Sequence, residues 1–183
     1  VTDVLNACKK EGVPRAERLK RLASLRGVYV PGLYHDEYNA DGTLKSLEPM
    51  DPCAPPRVLR SILTDFENAY VPTRPPVPYI QPVFDRIMLE IMRGCTRGCR
   101  FCQAGMLYRP VRERSVDKLV ELAKESVKNT GYEEISLSSL SSSDYSCISE
   151  LAGRLTDELR DQRVSLSLPS LRVDKFVQDT LTH

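Results

Sequence analysis

Three cysteines, Cys95, Cys99 and Cys102, fall within eight residues of "EIMRGCTRGCRFC" (90–102), spaced C-x3-C-x2-C. Thiols this close in sequence converge on one small object rather than tie distant strands together. As thiolates they are soft ligands, suited to iron–sulfur clusters, zinc or copper(I). Structural zinc sites are normally closed by four side chains. No fourth is at hand: the two histidines, His35 and His183, lie at no metal-ligand spacing from the trio. A four-iron cluster on three thiols leaves one iron open to substrate or cofactor. Three thiols plus an external ligand would instead hold zinc in a non-catalytic scaffold. Both readings stand on the cysteines alone. The remaining cysteines, Cys8, Cys53 and Cys147, are scattered and read as ordinary buried or idle thiols.

The setting expected for these thiols is reducing. The opening "VTDVLNACKKEGV" has neither the basic-then-apolar order of a secretion signal nor a long apolar run. A cytoplasmic location with no membrane partner is the expectation. The chain has 183 residues, 41% hydrophobic and 28% charged, as in a globular domain of ordinary size. A net charge of +1 gives no global electrostatic reason to bind nucleic acid, an anionic membrane or an acidic partner.

The elements that must position the cysteines begin after an appendage. "PRAERLKRLASLRG" (14–27) predicts a helix with Pro14 in its first turn and Gly27 beyond its end. "GVYVPGLYHDEYNADGTLKSL" (27–47) predicts a hairpin turning at Asp41-Gly42. Nine of the thirteen prolines lie between Pro49 and Pro82. Proline fixes φ and removes a backbone donor, so this span reads as an extended connector.

Beyond it, "DRIMLEIM" (85–92) is an apolar run suited to a buried parallel strand that feeds straight into the cysteine loop. "SVDKLVELAKESVKNTG" (115–131) predicts a helix capped by Ser115 and closed by Gly131. "EEISLSSL" is a second strand. "DYSCISELAGRLTDEL" (144–159) is a helix expected to be capped by Asp144, with Tyr145, Ile148, Leu151, Ala152, Leu155 and Leu159 on its buried stripe. "RVSLSLPS" is a third strand, and "LRVDKFVQDTL" starts a third helix. Alternating strands and helices predict an α/β fold with a parallel sheet and right-handed crossovers. Ligands of such sheets collect at the carboxyl ends of the strands, where the cysteine loop, the serine run 138–143 and "SLPSLR" (167–172) all fall. Three repeats are fewer than the eight of a full barrel, which predicts a piece of a larger polypeptide.

"GCTRGCRFC" after a first strand resembles the signature of radical S-adenosylmethionine (SAM) enzymes, with Phe101 at the aromatic position before the last cysteine. The longer "EIMRGCTRGCRFCQAGMLYRPVRERS", with "GVYVP" and "PTRPPVPYIQP" before it, resembles the branch whose members carry an upstream cobalamin-binding-type domain. The tRNA methylthiotransferases are similar at greater distance, although a near-neutral chain without a basic stripe does not favour a tRNA substrate. The resemblance spans roughly residues 25–183. It implies the first three β/α units of a partial parallel (β/α) barrel over 84–183, the tail of an upstream domain and a hairpin over 1–48, and a proline-rich linker over 49–83.

It also implies that Cys95, Cys99 and Cys102 hold a [4Fe–4S] cluster whose fourth iron binds the amine and carboxylate of SAM. One electron from an external donor would cleave the sulfonium to methionine and a 5′-deoxyadenosyl radical, which abstracts hydrogen from an unspecified substrate. Gly94 and Gly98 are expected to let the loop turn tightly. Phe101 would lie beside the adenine or simply pack the loop. Ser138, Ser139 and Ser141 stand where the family reads the SAM amine, without its usual glycine; the alternative is a serine-rich loop that caps the next helix. Ser167, Ser170 and Arg172 would reach the SAM ribose or carboxylate, with a surface salt bridge as the other reading of Arg172. Arg109, Arg112 and Arg114 read as a solvated loop pairing with Glu113, or as a positive lip for an anion. Glu90 either points into the barrel or bonds the loop backbone. The chain has no Asp-x-His-x-x-Gly signature, and His35 has the wrong neighbours, so no cobalamin is expected on this chain.

Overall fold

The computed structural model describes residues 1–172; the expected third helix and His183 lie largely or wholly outside them. The chain forms two compact units, Val1–Leu63 and Thr64–His183. No helix among the described residues is long and apolar enough to cross a membrane.

The first unit pairs helix α1 (Thr2–Lys10), for which sequence patterning gave no expectation, with α2 (Arg15–Ala23). Pro14 is the N-cap of α2 rather than its first helical residue. The hairpin follows as β1 (Tyr34–Tyr38) and β2 (Leu44–Pro49), antiparallel. In its turn the Asp41 carboxylate accepts from the Thr43 amide at 2.9 Å, and Gly42 takes φ +82°, a left-handed conformation suited to glycine.

The proline-dense segment carries no helix or strand between β2 and residue 87, as its composition requires. Its two halves pack differently. The first folds onto the hairpin unit: the Tyr34 hydroxyl donates to the Pro55 carbonyl at 2.8 Å, Lys20 pairs with Asp51 at 2.7 Å, and Ala54 is buried. The second half straps the sheet unit, where Asn129 donates to the Thr73 carbonyl at 3.2 Å and Val71 lies on the core.

The second unit is a three-stranded parallel sheet in the order β3 (Ile87–Glu90), β6 (Glu134–Ser138), β7 (Ser165–Ser167). The elements between its strands are β4 (Met92–Arg93), the short α3 (Ala104–Leu107), β5 (Arg112–Glu113), α4 (Val116–Thr130) and α5 (Ile148–Leu159). Period-two alternation divides the sheet faces. Ile87, Leu89, Ile135 and Leu137 are buried in one core with Leu119, Ala123, Leu151 and Leu155 of the helices. Met88, Glu90, Ser136 and Ser138 lie on the opposite face, with Met88 paired to Ser136 and Glu90 to Ser138.

α4 begins and ends where the sequence places it. Ser115 Oγ accepts from the Lys118 amide, and Gly131 adopts φ +70°. Two expectations are corrected. The apolar run 85–92 is not one strand: at Ile91 the backbone leaves its parallel partner, and β4 pairs antiparallel with β5. Ile91 is the pivot, fully buried, its N–H donating to the Ser138 carbonyl and its carbonyl accepting from Arg114. Nor does Asp144 cap α5. The helix starts four residues later behind Cys147, and Asp144 closes a 3-10 turn (Ser142–Asp144). The predicted stripe Ile148, Leu151, Ala152, Leu155 and Leu159 is buried, and Tyr145 is buried ahead of the helix.

Candidate functional site

The cysteine loop leaves β4 at Gly94, a residue the backbone demands. Its φ is +99°, and a Cβ there would meet the carbonyl oxygens of Tyr108 and Pro110 at 2.5 and 2.7 Å. Gly98 is different: nothing lies within 4 Å of a Cβ built on it, so space does not require glycine there. Gly105, which sequence reading passed over, is the second tight point. It is buried, and a side chain would strike the Arg97 carbonyl.

All three loop thiols are free. Cys95 is half-buried, and its sulfur accepts from the Arg97 amide at 3.4 Å; Cys99 and Cys102 are exposed. The Cys102 amide donates to the Cys99 carbonyl at 3.0 Å, which turns the loop between them. Among the described residues no three His, Cys, Asp or Glu side chains are gathered as a ready-made metal site. Phe101 is 94% exposed, so it does not pack the loop.

The ends of β6 and β7 meet this loop through Asp144. The Asp144 carboxylate accepts a two-pronged guanidinium from Arg97, at 2.9 and 2.5 Å, and a second guanidinium from Arg172 at 3.1 and 3.2 Å. The Ser141 hydroxyl donates to it at 2.9 Å. These donors, Arg97 first, hold its carboxyl well below the usual carboxylate range. Backbone links reinforce the junction: the Ser142 amide donates to the Ser170 carbonyl, and the Arg172 amide to Ser143 Oγ at 2.9 Å. Ser170 takes φ +60°, a left-handed conformation uncommon for serine.

The serines are thus divided. Ser141, Ser142 and Ser143 are buried and engaged within the junction, and Ser139 shares a hydroxyl contact of 2.9 Å with Ser142. They do not cap α5, which has no side-chain cap. Ser138 and Ser139 border a cleft of about 280 Å3 together with Glu90, Arg93, Gly94 and Tyr108. Ser167, half-buried, ends β7.

For Glu90 and for the arginines that follow the loop, one of the two readings is overturned. Glu90 bonds no loop backbone; its two carboxylate oxygens take the Arg93 guanidinium at 2.8 and 2.7 Å. Of the arginines after the cysteine loop, Arg109 is exposed as expected, but none of the three pairs with Glu113, whose carboxylate accepts from the Ser146 amide. Arg109 donates to the Thr96 carbonyl at 2.9 Å and Arg112 to the Tyr108 and Pro110 carbonyls, so both brace the loop backbone. Arg114 is 2% exposed, with its guanidinium over the buried Phe66 ring at 4.2 Å and donating to the Glu67 and Ala69 carbonyls. Burial pushes its pKa down from the ordinary arginine value. Phe66 lies 48 residues upstream, and no local pattern pointed to it.

The comparisons with known proteins bear on the family of this chain. An uncharacterized protein of Methanocaldococcus jannaschii is 42% identical over 94 residues, 51% of this chain and 20% of that protein. The chain therefore spans about a fifth of the length of the curated relative it matches. The model of the radical SAM superfamily matches residues 89–181, a little over half of the chain, from the strand that feeds the cysteine loop onward. This chain belongs to the radical SAM superfamily.

Proposed function

We propose that Cys95, Cys99 and Cys102 bind a [4Fe–4S] cluster and that the chain carries the SAM-cleaving part of a radical enzyme. The observation that carries this is the donor set: three free thiols on one loop at the carboxyl end of a parallel sheet, within the family match. Soft thiolates fit an iron–sulfur cluster, and the loop's backbone is shaped by two glycines that admit no side chain. A cluster held by Cys95, Cys99 and Cys102 and reduced by an external donor would supply the single electron that cleaves the sulfonium of SAM to methionine and a 5′-deoxyadenosyl radical.

The protein's own part is orientation and exclusion. Ser138 and Ser139 line the cleft beside Gly94 and offer hydroxyls to the SAM amine. Ser141 is committed to Asp144 and Arg172 is paired with it. These two, with Ser167 and Ser170, are therefore proposed to act on SAM through the shape of the junction as much as by contact. Phe101, exposed beside Cys102, is proposed to cover the adenine. The finer placement rests on the motif likenesses: the branch with an upstream cobalamin-binding-type domain, a partial barrel over 84–183, an external electron donor, and no cobalamin held by this chain.

Anaerobic reconstitution tests the reading. About four iron and four sulfide per chain are expected, with an EPR signal that shifts on adding SAM and 5′-deoxyadenosine formed under reduction. Cys102→Ala should abolish cluster retention. A colourless protein holding one zinc would overturn the proposal.

A further inference from the structure

The junction between the cysteine loop and the strand ends turns on one carboxylate. Asp144 has a side chain only 11% exposed and receives donors from three places. Arg97 comes from between Cys95 and Cys99, Ser141 from its own turn after β6, and Arg172 from the segment after β7. The two-pronged Arg97 contact is the strong kind of hydrogen-bonded pair, in which both prongs fix orientation as well as distance. Arg97 is also tied at its backbone: its amide donates to the Cys95 sulfur, and its carbonyl lies where Gly105 must have no side chain. Pulling on the Arg97 side chain therefore moves the backbone that carries two of the three thiols.

We propose that Asp144 is a positioning residue for the cysteine loop: by holding Arg97 it latches the segment between Cys95 and Cys99 to the ends of β6 and β7. The latch sets the exposure of Cys95 and the readiness of the loop to take and keep its cluster. This inference rests on the proposed function for its cluster arm and stands apart from it in the cluster-free protein.

The experiment uses the full chain with Asp144→Asn, Arg97→Ala and the double variant. In the cluster-free protein, alkylation by iodoacetamide is followed cysteine by cysteine by mass spectrometry. Cys95 should react about threefold to fivefold faster in both single variants, the scale of one partly exposed ion pair holding a loop closed. Cys99, Cys102 and Cys147, already exposed, should change little. The two variants alter local charge in opposite senses, so a shared rise at Cys95 reports access rather than thiol acidity. The double variant should be no faster than either single one, because both break the same contact. Arg97→Lys, which keeps the charge and loses the fork, should fall between. After reconstitution, iron retained per chain should drop in step with the Cys95 rate.

Unchanged Cys95 reactivity with a lowered unfolding midpoint would make Asp144 a structural brace alone and overturn the inference. So would additive effects in the double variant. If the wild type takes up no iron–sulfur cluster, the proposed function fails, while the alkylation arm still decides the latch.

Discussion

Arg114→Ala should destabilise the second unit by about 3 kcal/mol, and the figure can be built from the site. The guanidinium is 2% exposed and donates to two backbone carbonyls, Glu67 at 3.3 Å and Ala69 at 3.2 Å. Both contacts are long, so the low end for charged donors applies, about 1.5 kcal/mol each. The stack on Phe66 at 4.2 Å is withdrawn from water, where a cation over an aromatic face contributes about 2 kcal/mol. Against this, Nε is buried with no acceptor among the described residues, and removing it relieves about 2 kcal/mol of desolvation. The balance is near 3 kcal/mol, large for a residue in an arginine-rich loop segment.

Urea unfolding followed by far-UV circular dichroism reads the result, because α4 and α5, the two longest helices among the described residues, both lie in this unit. Arg114→Lys should recover about half the loss, since an ammonium reaches a carbonyl but lacks the planar stacking face. The loss should also be nearly independent of salt, as screening acts little on buried charge. A destabilisation below about 0.5 kcal/mol, the level of ordinary surface substitutions, would refute the burial argument.

Three other expectations follow from the same structure. Gly94→Ala forces a side chain into a φ of +99° against two carbonyl oxygens. It should cost about 2 kcal/mol or more in the urea midpoint and lower reconstituted iron per chain; a wild-type iron content would contradict the close approach. Ser115→Ala removes the Oγ cap on the Lys118 amide and the contact with Glu67, with an expected cost of about 1–2 kcal/mol in the same unfolding assay. Asp144 and Asp51 are both held well below their ordinary 3.8, Asp144 first by Arg97 and Asp51 first by the Cys53 thiol and then Lys20. Depressed carboxyl pKa values give stability that is whole above about pH 4, the unfolded range, and lost as pH falls further toward the folded values. Acid titration of the urea midpoint should therefore show a loss below pH 4 that is smaller in Asp144→Asn; an unaltered profile would count against the Arg97 pairing.

The parts legible in the sequence are those governed by neighbours in sequence. Ser115 and Gly131 bracket α4 because a side-chain oxygen and a left-handed residue satisfy helix ends locally. Asp41 and Gly42 close the hairpin by the same local means. The parallel order β3, β6, β7 follows from alternation of strand and helix. α1 escaped notice because only Cys8 is buried along it, too weak a stripe to announce a helix. The break at Ile91 was hidden in an unbroken apolar run, since its two partners, Ser138 and Arg114, lie 47 and 23 residues further along the chain.

Asp144 shows where local rules lose. Preceding an apolar-periodic run, it has the sequence context of an N-cap, a role that would commit its carboxylate to amides of its own helix. The fold instead brings two guanidiniums to it, from 47 residues upstream and 28 residues downstream. Charged forks outcompete neutral amides for the same oxygens, so the helix starts later and the turn ahead of it becomes the junction. Arg97 faces the same choice in reverse: in a loop rich in arginine, its sequence neighbours give no reason to single it out from Arg93, Arg100 or Arg109. What selects it is position, midway between two cysteines and opposite the end of β6. The residues that would bind the cluster are thus written in a local pattern, while those that hold them in place are specified only by the sheet that brings three loop ends to one edge.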